Sequence, residues 1–240
     1  MTAITAEMVK QLRTATNVSM MECKKALTDA DGDIDKATRL LRERGISMAA
    51  KKASRATNQG LIASSGDPDG KCASLVEVNC ETDFVARNAV FQAFVAGAAE
   101  KAAATDGQLS EEMKDAVVSK ITEIGENITI PRNTRYVLSG TGFIGSYIHL
   151  GGKLGVLVEV ACSKNETTSN PAFRDFVKDL TLQIAASKPA YKEPSEIPAD
   201  VVKSERDIYA KQITNKPANV VEKIVDGKMR KYYEETCLLM

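Results

Sequence analysis

The chain has 240 residues, 43% of them hydrophobic and 27% charged, with Lys+Arg and Asp+Glu balanced at 32 each. It is long enough to bury a sizeable core and too apolar for a disordered chain, and without net charge any attraction to nucleic acid or lipid must come from a local patch. No apolar run reaches the ~18 residues of a membrane span and Met1 to Arg13 lacks the hydrophobic stretch of a secretion signal, so a soluble intracellular protein is expected.

Residues 1–57 are helical in pattern. Thr5 caps a first helix carrying Val9 and Leu12, Ser19 caps a second through Leu27, and Asp33 caps a third, Ile34 to Arg44, closed by Gly45. Short connections make this a compact three-helix unit, followed by an Ala- and Lys-rich helical linker from Ile46 to Arg55. Met20 and Met21 are adjacent, so one of them is expected in the core and the other in solvent. Lys36, Arg39, Arg42, Arg44, Lys51, Lys52 and Arg55 make the end of this region locally basic. That is a solvated helix face or an RNA-binding surface.

From Gly60 the hydrophobic period changes to two. Leu61 to Ser65 and Ala73 to Cys80 predict a hairpin with Asp69-Gly70 at its tip, and a helix from Ala86 to Ala104 follows with Val90, Phe91, Phe94, Val95 and Ala98 on one face. At the corner between them, Thr82 or Asp83 caps the helix. Phe84 has two readings: it folds back onto the strand as a staple, or it projects into a partner. A second helix runs from Ser110 to about Gly125. Residues 134–162 hold three strands cut by glycines, with GGKLG at Gly151–Gly155 as a hairpin turn rather than a phosphate loop, since it lacks the GxxxxGK[ST] pattern.

The chain also repeats itself. LVEVNC at Leu75–Cys80 recurs as LVEVAC at Leu157–Cys162, and NAVFQAFV from Asn88 recurs as NPAFRDFV from Asn170. Two similar hairpin-plus-helix subdomains follow. The copies differ where the first has ETDFVAR and the second SKNETTS, so the Asp83-Phe84 pair is not required by the shared architecture. Beyond Lys188 a Pro-rich stretch leads to two helices, Ala199 to Thr214 and Pro217 to Glu235, with Ile208, Ile213, Val220, Val221, Ile224 and Met229 as their apolar positions.

The five cysteines, Cys23, Cys72, Cys80, Cys162 and Cys237, are odd in number and contain no CxxC, which predicts reduced core thiols, with Cys237 exposed near the terminus. His149 is the single histidine, on a strand end, and no Ser or Cys sits in a nucleophile motif. Carboxylates are scattered, so neither a metal nor a cofactor is expected. Covalent chemistry is not the expected function.

Two stretches carry a specific likeness. LRTATNVSMMECKKAL, Leu12–Leu27, and EVNCETDFVARN, Glu77–Asn88, resemble the two signatures of the translation elongation factor Ts family, and IGENI from Ile124, GSYIH and GVLV between Gly145 and Val158, and ASKPAY at Ala186–Tyr191 are similar to further family segments. The resemblance implies an α+β protein: a ubiquitin-associated-like helical domain with its linker at 1–57, a duplicated core at 58–139 and 140–194, and a helical hairpin at 195–240 that serves dimerisation in some relatives. It implies a guanine-nucleotide exchange factor that binds elongation factor Tu, with Asp83 and Phe84 wedged into the partner's GTPase domain to disturb its magnesium and phosphate contacts. Arg13, Met20, Met21 and Lys24 would touch that domain from the N-terminal unit, and Ile124, Gly125 and His149 would lie on core surfaces meeting the partner. No direct nucleic-acid or membrane partner is implied, and the compartment implied is the bacterial cytoplasm, or an organelle matrix if the chain is a mature form. Family members usually continue past the CLLM at Cys237–Met240 with further strands, so the second subdomain is expected to be incomplete. The competing readings are an RNA-binding module using residues 36–55 and a protein-interaction scaffold without exchange activity.

Overall fold

The computed structural model describes residues 3–214 and 216–240; the first two positions of the 1–57 segment, and Asn215 in the 195–240 segment, lie outside the described residues. It is a mixed helix and sheet protein that divides into two compact units, Met1–Val177 and Lys178–Met240. Among the described residues no helix is long and apolar enough to cross a membrane.

The first unit begins with three helices, α1 (Ala6–Thr16), α2 (Met20–Asp29) and α3 (Ile34–Lys52). Each starts where a side-chain oxygen takes up an orphan backbone N–H: Thr5 accepts from Met8 at 3.3 Å, Ser19 from Glu22 at 3.3 Å and Asp33 from Lys36 at 2.9 Å. Leu12, Cys23, Leu27 and Ala37 close a small core between them. α3 does not end at Gly45. It runs on to Lys52, absorbing the segment expected as a separate linker, because Gly45 is buried against a later helix, α7 (Lys114–Ile124), where an added Cβ would stand 2.7 Å from Thr122 Oγ1. The glycine therefore permits close helix contact and does not terminate the helix. Met20 and Met21 also depart from expectation, being 49% and 75% exposed, because the buried stripe of α2 begins at Cys23.

An antiparallel sheet of order β1–β2–β3 follows, built from β1 (Gln59–Gly66), β2 (Cys72–Cys80) and β3 (Ile128–Val137). Gln59 pairs with Cys80 and Gly66 with Ala73, and Cys80 pairs with Ile128. β3 starts six residues before the expected position, across Pro131. As an edge strand it need not donate at every position, and the ladder shifts register between Glu77 and Asn79, opposite the proline. Between β2 and β3 come α4 (Asp83–Ala86), α5 (Ala89–Ala104), α6 (Leu109–Glu112) and α7. Thus the single helix expected from Ala86 is broken at Arg87–Asn88, where Asn88 Oδ1 caps α5 through Val90 N at 2.8 Å. Phe91, Val95 and Ala98 of α5 are buried with Val76 and Val78 of β2, whereas Val90, in the first turn, is exposed.

The unit is completed by a two-stranded antiparallel sheet, β4 (Gly142–His149) and β5 (Leu154–Ala161), then α8 (Asn165–Thr168) and the start of α9 (Pro171–Ser187). Gly152, in the turn of that hairpin at φ +95°, accepts from Ile62 N of β1 at 2.7 Å. An added Cβ there would meet Leu61 at 2.9 Å, so the hairpin tip sits directly on β1.

The second unit holds the rest of α9, a 3₁₀ turn at Pro194–Glu196, α10 (Ala199–Lys211) and α11 (Ala218–Thr236). Arg206 pairs with Asp226 at 2.7 Å and Lys228 donates to Gln212 at 2.9 Å across the two helices. Val225 and Met229 of α11 are buried, Ile213, Val220, Val221 and Ile224 are half-buried, and Ile208 is exposed. Cys237 is buried, against expectation, because the chain after α11 pairs back on residues 190–192: Leu238 N donates to Tyr191 O at 3.0 Å and Leu239 N to Lys192 O at 2.8 Å.

Candidate functional site

The corner after β2 is built from a buried end and an exposed turn. Cys80 is fully buried, and burial, with the Glu126 carboxylate nearby, pushes its thiol up to about 11. It is therefore a packing residue and a poor nucleophile at neutral pH. The next residues leave the sheet, and Thr82 rather than Asp83 caps α4, its Oγ1 accepting from Val85 N at 3.3 Å. Asp83 occupies the first turn and pairs with Arg87 at 3.0 Å in solvent, a contact that contributes little stability.

Phe84 lies between that half-buried aspartate and two inward-facing residues, Val85 and Ala86, which pack on the core. Successive helical side chains turn by about 100°, so with Val85 and Ala86 directed inward Phe84 is directed out. It is 80% exposed, and the staple does not form. The aromatic face is left in water with nothing in the first unit's core requiring it.

A second element is brought against this corner. α7 ends at Ile124, and Gly125 takes the left-handed conformation, φ +87°, closing the helix with its N–H on Ile121 O at 2.8 Å. The chain then turns back, and the Glu126 carboxylate accepts three hydrogen bonds from the corner: Glu81 N at 3.1 Å, Thr82 N at 3.0 Å and Thr82 Oγ1 at 2.6 Å. The exchange is mutual. Glu81 accepts from Asn127 N at 2.6 Å and pairs with Arg55 at 3.6 Å, while Asn127 Nδ2 donates to Arg55 O at 2.9 Å and Lys52 Nζ donates to Gly125 O. Hydrogen bonds to a charged acceptor are worth about 1.5–3 kcal/mol each, so the corner and the loop are firmly joined. Ile124 is half-buried and Gly125 exposed beside this junction.

The hairpin tip of β4–β5 reaches the same end of the first sheet. Lys153 Nζ donates to Gly60 O at 2.9 Å, next to the Gln59–Cys80 pair from which the corner departs. His149 is exposed at the end of β4, with Nδ1 2.7 Å from the Tyr147 hydroxyl. Its neighbour Leu150, at φ +50° and 72% exposed, is a second projecting apolar side chain that the alternating strand pattern did not single out. The corner, the 124–127 loop and the hairpin tip therefore share one end of the sheet. Arg13, Met20, Met21 and Lys24 are exposed on α1 and α2, and no hydrogen bond or ion pair among the described residues joins them to the corner. Glu81 and Glu126, which make the junction, lie within two stretches singled out in the sequence, ETDFVARN and IGENI, but nothing in the sequence pairs one with the other.

Such a surface, with projecting apolar side chains over a braced backbone, is suited to binding. The family model for "Elongation factor TS" matches residues 81–240 of the chain. Among curated proteins, Elongation factor Ts of Nitratidesulfovibrio vulgaris strain DP4 is 44% identical over 239 residues, covering 99% of this chain and 83% of the relative. Elongation factor Ts of a Nitratiruptor species is 42% identical, with 99% and 81% covered. That of Clostridium botulinum strain Eklund 17B is also 42% identical, with 98% and 80% covered.

The two phenylalanines that flank Asn88 separate surface from core. Phe84→Ala should change unfolding free energy by less than ~0.5 kcal/mol, whereas Phe91→Ala, at a fully buried site, should cost about 3–5 kcal/mol. Urea denaturation of the two variants measures both. A large loss at Phe84 would show that its ring is packed in solution.

Proposed function

The chain belongs to the elongation factor Ts family, and on that footing we propose that it is a guanine-nucleotide exchange factor that binds elongation factor Tu and promotes GDP release. The observation that carries this reading is the exposed Phe84, held on a capped first turn and braced by Glu126. In this reading Asp83 and Phe84 enter the partner's GTPase domain and disturb its magnesium and phosphate contacts. The exchange factor binds the nucleotide-free form more tightly, so by linkage it and GDP weaken one another reciprocally. Ile124, Gly125 and His149 support the contact from the same end of the sheet, and Arg13, Met20, Met21 and Lys24 make a second one from α1 and α2. No group acts on a covalent substrate.

The finer architecture is proposed in the same terms: a ubiquitin-associated-like domain with linker at 1–57, core subdomains at 58–139 and 140–194, and a helical extension at 195–240. Local geometry supports a duplicated core. Cys80 Sγ donates to Thr82 O at 3.2 Å and Cys162 Sγ to Lys164 O at 3.5 Å, while Asn88 and Asn170 each cap the N–H two residues on, at 2.8 and 2.9 Å. In that alignment Asp83-Phe84 stands opposite Asn165-Glu166. The extension, with Ile208 exposed, is assigned to self-association; a monomer mass at all concentrations in sedimentation would remove that part.

The basic stretch of α3 favours this reading over RNA binding. Arg42 pairs with Asp115, Arg44 with Asp29 and Arg55 with Glu81, while Lys52 is committed to Gly125 O, so four of the seven basic side chains already have partners within the chain.

Release of a fluorescent GDP analogue from elongation factor Tu tests the proposal. The intact chain should accelerate release, and Phe84→Ala should remove at least ~90% of the acceleration, the loss of about 1.4 kcal/mol of transition-state stabilisation or more. Asp83→Asn should also slow it while leaving stability within ~0.5 kcal/mol, since Thr82 provides the cap. No acceleration by the intact chain would sink the reading.

A further inference from the structure

Glu81 and Glu126 have no place in the partner contacts assigned above, yet their carboxylates together accept four hydrogen bonds and make one ion pair. Their bonds run in opposite directions. A side chain of the 124–127 loop holds the backbone of the corner, and a side chain of the corner holds the backbone of the loop. The sheet does not need them, because the β2–β3 ladder already ends at the Cys80–Ile128 pair.

What they fix is direction. The Thr82 hydroxyl donates to Glu126 Oε1 and accepts from Val85 N, so its rotamer, and with it the first turn of α4, is set by the loop. That turn aims Phe84. In return Glu81 and Lys52 hold the backbone on either side of Glu126, at Asn127 N and Gly125 O. We propose that Glu81 and Glu126 are positioning residues for nucleotide exchange: their reciprocal carboxylate-to-backbone strap makes Asp83-Phe84 and Ile124-Gly125 one rigid face. A corner free to swing would lose on docking the ordering entropy that the strap has already removed, and an aromatic displaced by an ångström would no longer act at the same point of the partner. Because Arg55 and Lys52 join the same network, the end of α3 belongs to this rigid piece as well.

This inference rests on the exchange reading, and its test keeps the two apart. The saturating rate of GDP release and the half-saturating concentration are measured for the full chain, Glu126→Ala, Glu126→Gln, Phe84→Ala and the Glu126→Ala/Phe84→Ala double variant, alongside amide hydrogen exchange on each protein. Glu126→Ala should lower the saturating rate ~10-fold or more with the half-saturating concentration moved less than ~3-fold, because contacts elsewhere remain. Glu126→Gln, whose amide oxygen can still face both backbone N–H groups, should keep the rate within ~3-fold. The double variant should lose less than the sum of the two single losses, since both act through the same face. In Glu126→Ala the amides of Glu81 and Thr82 should exchange faster while those of Val76 and Val78 stay protected.

A wild-type rate in Glu126→Ala, an equal loss in Glu126→Gln, additive losses in the double variant, or loss of protection in β2 would each overturn the proposal. If Glu126→Ala does not fold, Glu126→Asp, shorter by one methylene, replaces it under the same expectations. Should the wild-type chain fail to accelerate GDP release from elongation factor Tu, the exchange reading falls, and the amide pattern alone decides whether the strap makes a rigid face.

Discussion

The Glu126 carboxylate bonds to two backbone N–H groups and one hydroxyl of a corner 44 to 45 residues away, and the candidate surface depends on that contact. Without it the corner would be a four-residue helix joined to a strand by two residues, too short to hold its own direction. With it, a backbone N–H of the helix start, the cap hydroxyl and the last residue before the cap are all anchored to the loop that ends α7. Core packing of Val85 and Ala86 turns Phe84 outward, and the Glu126 carboxylate ties the turn that carries it to the loop after α7.

The second copy of the motif makes clear that this bracing is not a requirement of the fold. α8 follows β5 as α4 follows β2, but its cap position is Lys164, with no side-chain hydrogen bond to the helix, and no buried residue anchors it. The turn there is tied instead by Thr141 Oγ1, which donates to Asn165 Oδ1 at 2.9 Å, and by Arg174 Nε, which donates to Thr168 O at 3.0 Å. At the first corner the same architecture carries a cap, two reciprocal carboxylates and an outward aromatic, features that packing alone does not call for. The difference between the two repeated stretches is where the proposed work of exchange belongs.

Local signals were legible in the residues. Thr5, Ser19 and Asp33 cap helices because a short polar side chain before an apolar repeat has one favourable use, and the β1–β2 hairpin follows from alternation and Asp69-Gly70. What failed was set by distant partners. Gly45 looked like a helix end because its reason for being glycine is Thr122, far along the chain. Pro131 masked the start of β3, whose edge position and bulge accommodate it. Cys237 was expected in solvent because the return of the chain onto residues 190–192 has no sequence mark. At the site, Asp83 and Phe84 stood out through the mismatch between the repeats, but Phe84 could not be assigned to surface or core until Val85 and Ala86 were placed. Glu81 and Glu126 lie in stretches that carry the family resemblance, yet their pairing was invisible, since a glutamate at an element end is ordinary until its partner is known.

The account turns on Phe84 entering the GTPase domain of elongation factor Tu, and site-specific photocrosslinking measures this directly. With benzoylphenylalanine in place of Phe84, irradiation of the nucleotide-free complex should yield a crosslink that maps to that domain, and the same probe in place of the buried Phe91 should yield none. A position-84 probe that forms the complex yet crosslinks only outside the GTPase domain, or not at all, would contradict it.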